Sequence, residues 1–398
     1  MKQFVSISIA FVAAASSGGL AQVSHSSLAE ITREGRYWVQ TINGAATATP
    51  LDRVRLDTVG NVMLQGDNGE KVTYKLKLRV KARDAREAEG LLREFDVKYR
   101  TQNGWLRLTV TPPANISEGP ELSVNVPRSL QQVWIETRGG NVQATDLDGE
   151  LQARSAAGRM VVDRIKGRAE IRTGGGDIQV GEVGGAVRCY SGAGVIRVQS
   201  SGGEAWLDTA GGDVFLHQAN GPVHAATAGG NIRVERASNT VFARTAAGLI
   251  EVQQADGAVT AESSAGAIQV NAANGVRCES AAGTIRLRNV WGALRASTAA
   301  GSIMAELIPG NRIQESTLST NAGDITVFIA SNIPLTVLAR NDSGGATGRI
   351  ISDFKEIRVK PGSLPGASPV LAEGALNGGG PVLHINVNGG TIYLRRPK

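Results

Sequence analysis

Residues 209–262 align on themselves as TAGGDVFLHQANGPVHAA (209–226), TAGGNIRVERASNTVFAR (227–244) and TAAGLIEVQQADGAVTAE (245–262). The repeat extends in both directions. Glycine returns every 18 residues from Gly140 through Gly158, Gly176, Gly194, Gly212, Gly230 and Gly248 to Gly266, then at Gly283 and Gly301. Two and four residues after each glycine come apolar pairs such as Ile178/Val180 and Ile232/Val234. A half-way series (Gly149, Gly167, Gly185, Gly203, Gly221, Gly257, Gly275) carries pairs such as Val187/Cys189 and Val241/Ala243, so the true period is nine, doubled. A fixed short period means a solenoid whose repeats bury their apolar faces only against neighbours.

Within each nine, apolar and polar residues alternate, which is the period of a strand. The expected fold is all-β: a single-chain parallel β-helix or β-solenoid of 18-residue coils, each made of two 9-residue strands. Right-handed winding is the favoured sense for parallel crossovers. Nine coils at ~4.8 Å spacing give a rod about 43 Å long. One corner reads Ser/Thr-Ala-Ala/Gly-Gly and the other Asn-Gly or Asp-Gly, residues that accept positive φ. The hydroxyls of Thr209, Thr227, Thr245, Ser263 and Thr298 are expected to point inward and bond corner backbone, because an unpaired buried polar group is costly.

A charged Lys2, an apolar run over 4–15 and small residues up to Ala21 read as a secretory signal peptide at 1–21. The mature chain is then expected outside the cytoplasm, periplasmic, secreted or held at the cell surface, with no transmembrane segment after cleavage. Cys189 and Cys278 occupy one column five coils apart, beyond disulfide reach, and read as buried free thiols. The net charge of +6 is diffuse and points to no nucleic acid.

Residues 22–130 read as a polar lead-in and a β-rich N-terminal cap, 131–330 as the regular solenoid, and 331–398 as irregular final coils and a C-terminal cap. In the cap, strands are expected over 54–64 (a pair turning at Gly60-Asn61), 72–81, 96–101, 105–111 and 121–126. One helix is expected over 84–95, with Asp84 as N-cap and Glu87 completing a capping-box-like pair. Residues 343–375, rich in Gly, Pro and Ser, read as loops before a closing pair at 382–387 and 391–394.

No His/Cys cluster has metal-ligand spacing, no serine nucleophile motif stands out, and the outward carboxylates do not converge. We therefore expect no catalytic residues, no metal site and no cofactor. Gly-Gly-Asp corners at 175–177 and 211–213 lack the later Gly and Asp of calcium-binding β-rolls. The outward columns are more informative. Trp206 and Phe242 must face out because their neighbours face in, and with His224 and Tyr190 they form a candidate partner-binding patch. The alternative is that a cap segment covers them. Lys75, Lys77, Arg79 and Lys81, on the outer side of one strand, are a candidate contact to an anionic surface, or lysines that guard an exposed edge.

The Gly-Gly-Asn-Ile and Gly-Asp-Ile coils, with the closing Asn388-Gly389-Gly390-Thr391-Ile392 segment, resemble a bacterial adhesin-type β-solenoid family related to the head domain of autotransporter adhesins. The resemblance covers about residues 122–396. It implies a single-chain parallel β-helix outside the cytoplasm with an adhesive or binding role, and brings no catalytic residues; the expected function is non-enzymatic binding of a glycan, envelope or protein partner through a flat face. A polysaccharide-active enzyme and a purely structural spacer are the other readings.

Overall fold

The computed structural model describes residues 22–26, 30–47, 51–114, 119–308, 313–343, 349–360 and 369–397; the expected signal peptide lies outside them. Among the described residues the chain is nearly all β, with one helix, and divides into two compact units, 1–202 and 203–398.

In both units the 18-residue period becomes a parallel register. In unit 1, Val133 pairs with Leu151, Leu151 with Ala169 and Ala169 with Val187 in one sheet, whose outer side is the second face. Val142, Met160, Ile178 and Ile196 stack likewise in the other, whose outer side is the first face. Unit 2 repeats this with Ala205, Val223, Val241 and Val259, and with Val214, Ile232, Ile250 and Ile268. The inward members of these columns are buried, and outward positions alternate with them.

The hydroxyl column points inward as expected. Ser155 Oγ donates to the Gly140 carbonyl at 2.8 Å and accepts the Gly158 N–H at 2.9 Å. Thr245 Oγ1 does the same between Gly230 O (2.9 Å) and Gly248 N–H (3.2 Å). Each hydroxyl thus ties its own corner to the one before it. A second ladder runs beside it: Asn141 Oδ1 accepts the Arg159 N–H, and Asn231 Oδ1 the Leu249 N–H, one coil on.

The corner glycines depart from expectation. None of Gly140, Gly158, Gly176, Gly194, Gly230, Gly248, Gly266, Gly283 and Gly301 adopts positive φ; among the glycines of the stacked coils Gly275 (φ 87°), Gly292 (φ 78°) and Gly323 (φ 146°) do, as do Asp146, Arg164 and Asn289. The reason for glycine is close approach. A Cβ at Gly248 would lie 1.9 Å from the Gly230 carbonyl oxygen, and one at Gly266 1.7 Å from that of Gly248. Each corner sits directly on the preceding carbonyl, where no side chain fits.

Both ends are threaded out of chain order. In unit 1 the strands are β1 (Gln22–Ser26), β2 (Thr32–Glu34), β3 (Tyr37–Thr47), β4 (Arg53–Thr58), β5 (Asn61–Asp67) and β6 (Val72–Val80). Helix α1 (Ala85–Arg93) follows, then β7 (Asp96–Gln102), β8 (Trp105–Thr111), β9 (Glu121–Pro127), β10 (Gln132–Thr137) and β11 (Val142–Leu147). The 54–64 pair is not a hairpin. β4 and β5 are a full coil, stacked in parallel register between β8/β9 on one side and β10/β11 on the other. Solenoid stacking therefore reaches into a segment that shows no period of nine. Beyond it, β7 lies antiparallel on β8, β6 on β9, and β3 on β6. The polar 22–50 segment thus contributes real strands, with β1 and β2 both paired to β3. The helix is capped as expected: Asp84 accepts the Glu87 N–H and Glu87 the Arg83 N–H, while Ala88 and Leu92 are buried.

Unit 2 ends the same way. The closing pair, Val382–Val387 and Thr391–Arg395, slots between the coil of Ser316–Ala322 with Ile325–Ile329 and that of Leu335–Asn341 with Arg349–Ser352. Residues 343–375 are not all loop, since Val370–Leu376 lies antiparallel on Leu335–Asn341 and Arg358–Lys360 on Val370–Leu376. Asn341, fully buried in the hydroxyl column's position, donates to Gly390 O at 2.9 Å.

Cys189 and Cys278 are free and fully buried, and burial pushes both thiols well above their ordinary value.

Substitution at the corners and thiol labelling check this packing. Gly248→Ala should cost about 2 kcal/mol or more of unfolding free energy in urea. Thr245→Val, which orphans two corner groups, should cost about 1–3 kcal/mol. Gly229→Ala, whose nearest neighbour would be 3.9 Å away, should change stability by less than about 0.5 kcal/mol. A thiol-specific disulfide reagent at neutral pH should find both cysteines silent in the native protein and both reactive in guanidinium.

Candidate functional site

In unit 2 the strands Ala205–Thr209, Val223–Thr227 and Val241–Thr245 stack so that Trp206, His224 and Phe242 fall in one outward column. Their inward neighbours Ala205, Leu207, Val223, Ala225, Val241 and Ala243 are buried, which fixes the rings outside. The Trp206 and His224 rings stack at 4.6 Å with 21° between planes, and His224 and Phe242 lie 6.0 Å apart at 41°. Trp206 remains 36% exposed and the other two are half-buried, so the patch is open to solvent. Because the rings stack along the column, much of their faces is turned on one another and the patch presents ring edges.

The column continues in register through Thr260, Arg277, Arg295, Thr317 and His384 to Leu338, which is 40% exposed. Beside it runs Asp208, Ala226, Arg244, Glu262, Glu279, Ser297 and Ser319. Arg244 to Ser319 border a groove of about 440 Å³. Its charges are largely internal pairs, Arg244 with Glu262 at 3.9 Å and Arg277 with Glu279 at 2.7 Å.

Tyr190, expected in the same patch, belongs to unit 1, where it stacks in register with Arg172. The Arg172 guanidinium lies over its ring at 4.5 Å and also pairs with Glu170 at 2.9 Å. Sequence reasoning missed the network around it. Trp134 is held between Arg55 (4.7 Å) and Arg154 (5.0 Å), and Arg55 bridges Asp57 and Glu136. Its signal was available: Val133 and Ile135 turn inward, so Trp134 must turn out.

The basic stripe lies on β6, which is paired on both sides and so guards no edge. Lys77 bonds Glu34 at 2.8 Å and holds its carboxyl below the ordinary value. Arg79 pairs with Glu121 at 2.9 Å and Lys81 lies over the Tyr37 ring at 5.5 Å. Lys75 is exposed. Among the described residues no group of three or more His, Cys, Asp or Glu could hold a metal ion. His217 and Glu235 form an exposed pair at 2.6 Å on the first face. No described helix is long and apolar enough to cross a membrane.

The chain belongs to the Toastrack DUF4097 family, whose model matches residues 55–274, more than half of its length. The match takes in β4 and β5, in keeping with their place in the stack, and ends before the closing coils. No curated protein matches. Among solved structures, the chain is similar to a "putative adhesin" from Bacteroides fragilis, at 13% identity and TM-score 0.32, over 62% of this chain and 96% of that one. A "putative cell adhesion protein" from Clostridium sporogenes is similar at 9% identity and TM-score 0.18, over 96% of this chain and 100% of that one.

Since the rings pack mainly on one another and on solvent, Trp206→Ala/Phe242→Ala should stay folded, losing about 1–2 kcal/mol in urea unfolding with an unchanged far-ultraviolet circular dichroism spectrum.

Proposed function

We propose that this member of the Toastrack family is an exported, non-enzymatic binding protein that engages an envelope partner through the second face of unit 2. The reading carries with it an export signal at 1–21, a capped N-terminal segment, a regular solenoid and a closing C-terminal segment. One observation supports it above the others: the Trp206, His224 and Phe242 rings stack in one outward column, with Trp206 36% exposed. Stacked edges favour a protein partner, because a sugar would pack on an open ring face. Aromatic side chains of this kind anchor interfaces. A structural spacer is the second reading, favoured by the same stacking, since rings that pack on each other already have partners.

Binding of the full chain to fractionated envelope proteins and envelope glycans, measured beside Trp206→Ala/Phe242→Ala, tests the proposal. A protein fraction bound by the parent and lost by about tenfold or more in the folded variant supports it. Equal binding by both moves the site elsewhere, and binding to nothing favours the spacer.

A further inference from the structure

A second surface, on unit 1, has a different chemistry. A groove of about 540 Å³, within the size range of ligand clefts, opens on the outer side of β3, β6 and β9. Antiparallel pairing sets Asn43, Lys75 and Ser123 in one row across it, and Ala45, Thr73 and Asn125 in the next. Ala45 is the smallest side chain on its outward rows and keeps its floor low there. The rows continue in register onto the solenoid, Ser123 to Met63 to Gln143 and Asn125 to Gln65 to Thr145. From β3 to β11 these two rows contain amides, hydroxyls, one ammonium and one exposed methionine, and no carboxylate.

Neutral side chains that both donate and accept suit vicinal sugar hydroxyls. Met63, 54% exposed, offers an apolar contact for the face of a pyranose. Lys75 adds one cation, while its neighbours Lys77 and Arg79 are engaged by Glu34 and Glu121. The surroundings reinforce the sign. Residues 71–110 hold eleven Lys and Arg against five Asp and Glu, an excess equal to the whole chain's +6. Within this segment the strand that lines the groove, β6, carries Lys75, Lys77 and Arg79 and no carboxylate, which raises the local concentration of anions. A lipid surface fits less well, because headgroup binding gains about 1 kcal/mol per free cation and needs several on one plane.

We propose that this groove binds a linear, uronate-containing polysaccharide, with a sugar carboxylate on Lys75 Nζ and hydroxyls on Asn43, Thr73, Ser123 and Asn125. The site is separate from the second face of unit 2 and does not rest on it.

The test is calorimetric titration of the full chain with polygalacturonate at about 0.15 M salt, beside neutral dextran and phosphatidylglycerol vesicles. Lys75→Gln should weaken uronate binding about tenfold and Asn125→Leu several-fold. Arg100→Gln, the same charge change at an exposed position of β7, should stay within about twofold. Trp206→Ala/Phe242→Ala should bind uronate like the parent, which separates this proposal from the preceding one. Failure to bind polygalacturonate overturns it. So does equal damage from Arg100→Gln and Lys75→Gln, which reduces the effect to net charge. Binding to vesicles in preference to uronate, or to dextran as well as to uronate, overturns it too.

Discussion

The close contact between one corner and the next is the constraint on which everything else depends. A corner glycine lies against the carbonyl of the corner before it, and a buried Ser or Thr hydroxyl bonds that same carbonyl while accepting an N–H from its own corner. The glycine permits the approach and the hydroxyl satisfies the polar groups that the approach buries. Neither works alone. Together they hold successive coils in one register, and that register aligns Trp206 with His224 and Phe242. Outward columns are thus a consequence of corner chemistry, and each column's character is set by which residues the sequence places at intervals of 18.

The ends solve a separate problem. A stack of parallel strands leaves unpaired edges that invite other chains. In unit 1 the coil β4/β5 is enclosed by β8/β9 and β10/β11, and in unit 2 the closing pair is enclosed by two earlier coils. The coil outside each is then met by an antiparallel strand, β7 on β8 and Val370–Leu376 on Leu335–Asn341. In both units a strand near the chain terminus is secured on two sides by partners distant in sequence.

This explains what was legible beforehand. Period, alternation, inward hydroxyls and the Asp84 cap are local or strictly repetitive, and all are readable from the residues. The β4/β5 coil is not, because its ladder partners lie across an inserted cap and no period announces them. Arg358–Lys360 and Val370–Leu376 look like loop because Gly and Pro surround strands that only antiparallel pairing creates. The corner glycines were legible as necessary but for the wrong reason, since close approach depends on a neighbour 18 residues away. At the candidate site, alternation placed Trp206 and Phe242 outward, but it could not show that the rings stack or that Arg172 covers Tyr190. The unit 1 groove was hidden because β3 arises from a polar stretch with no strand pattern of its own. The surface ion pairs around Trp134 and Tyr190 add little stability individually; their effect is to leave the second face of unit 1 charged, whereas part of that of unit 2 is aromatic.

The most direct measurement of the central claim is native-state hydrogen exchange, read peptide by peptide along both units. If the corner ladder holds the stack together, the amides of Gly158, Gly230 and Gly248 should exchange only with global unfolding, as slowly as the strand amides at Ile232 and Ile250. Exchange at these corners through local opening, while the strands stay protected, would contradict the account and leave the sheets standing without their corners.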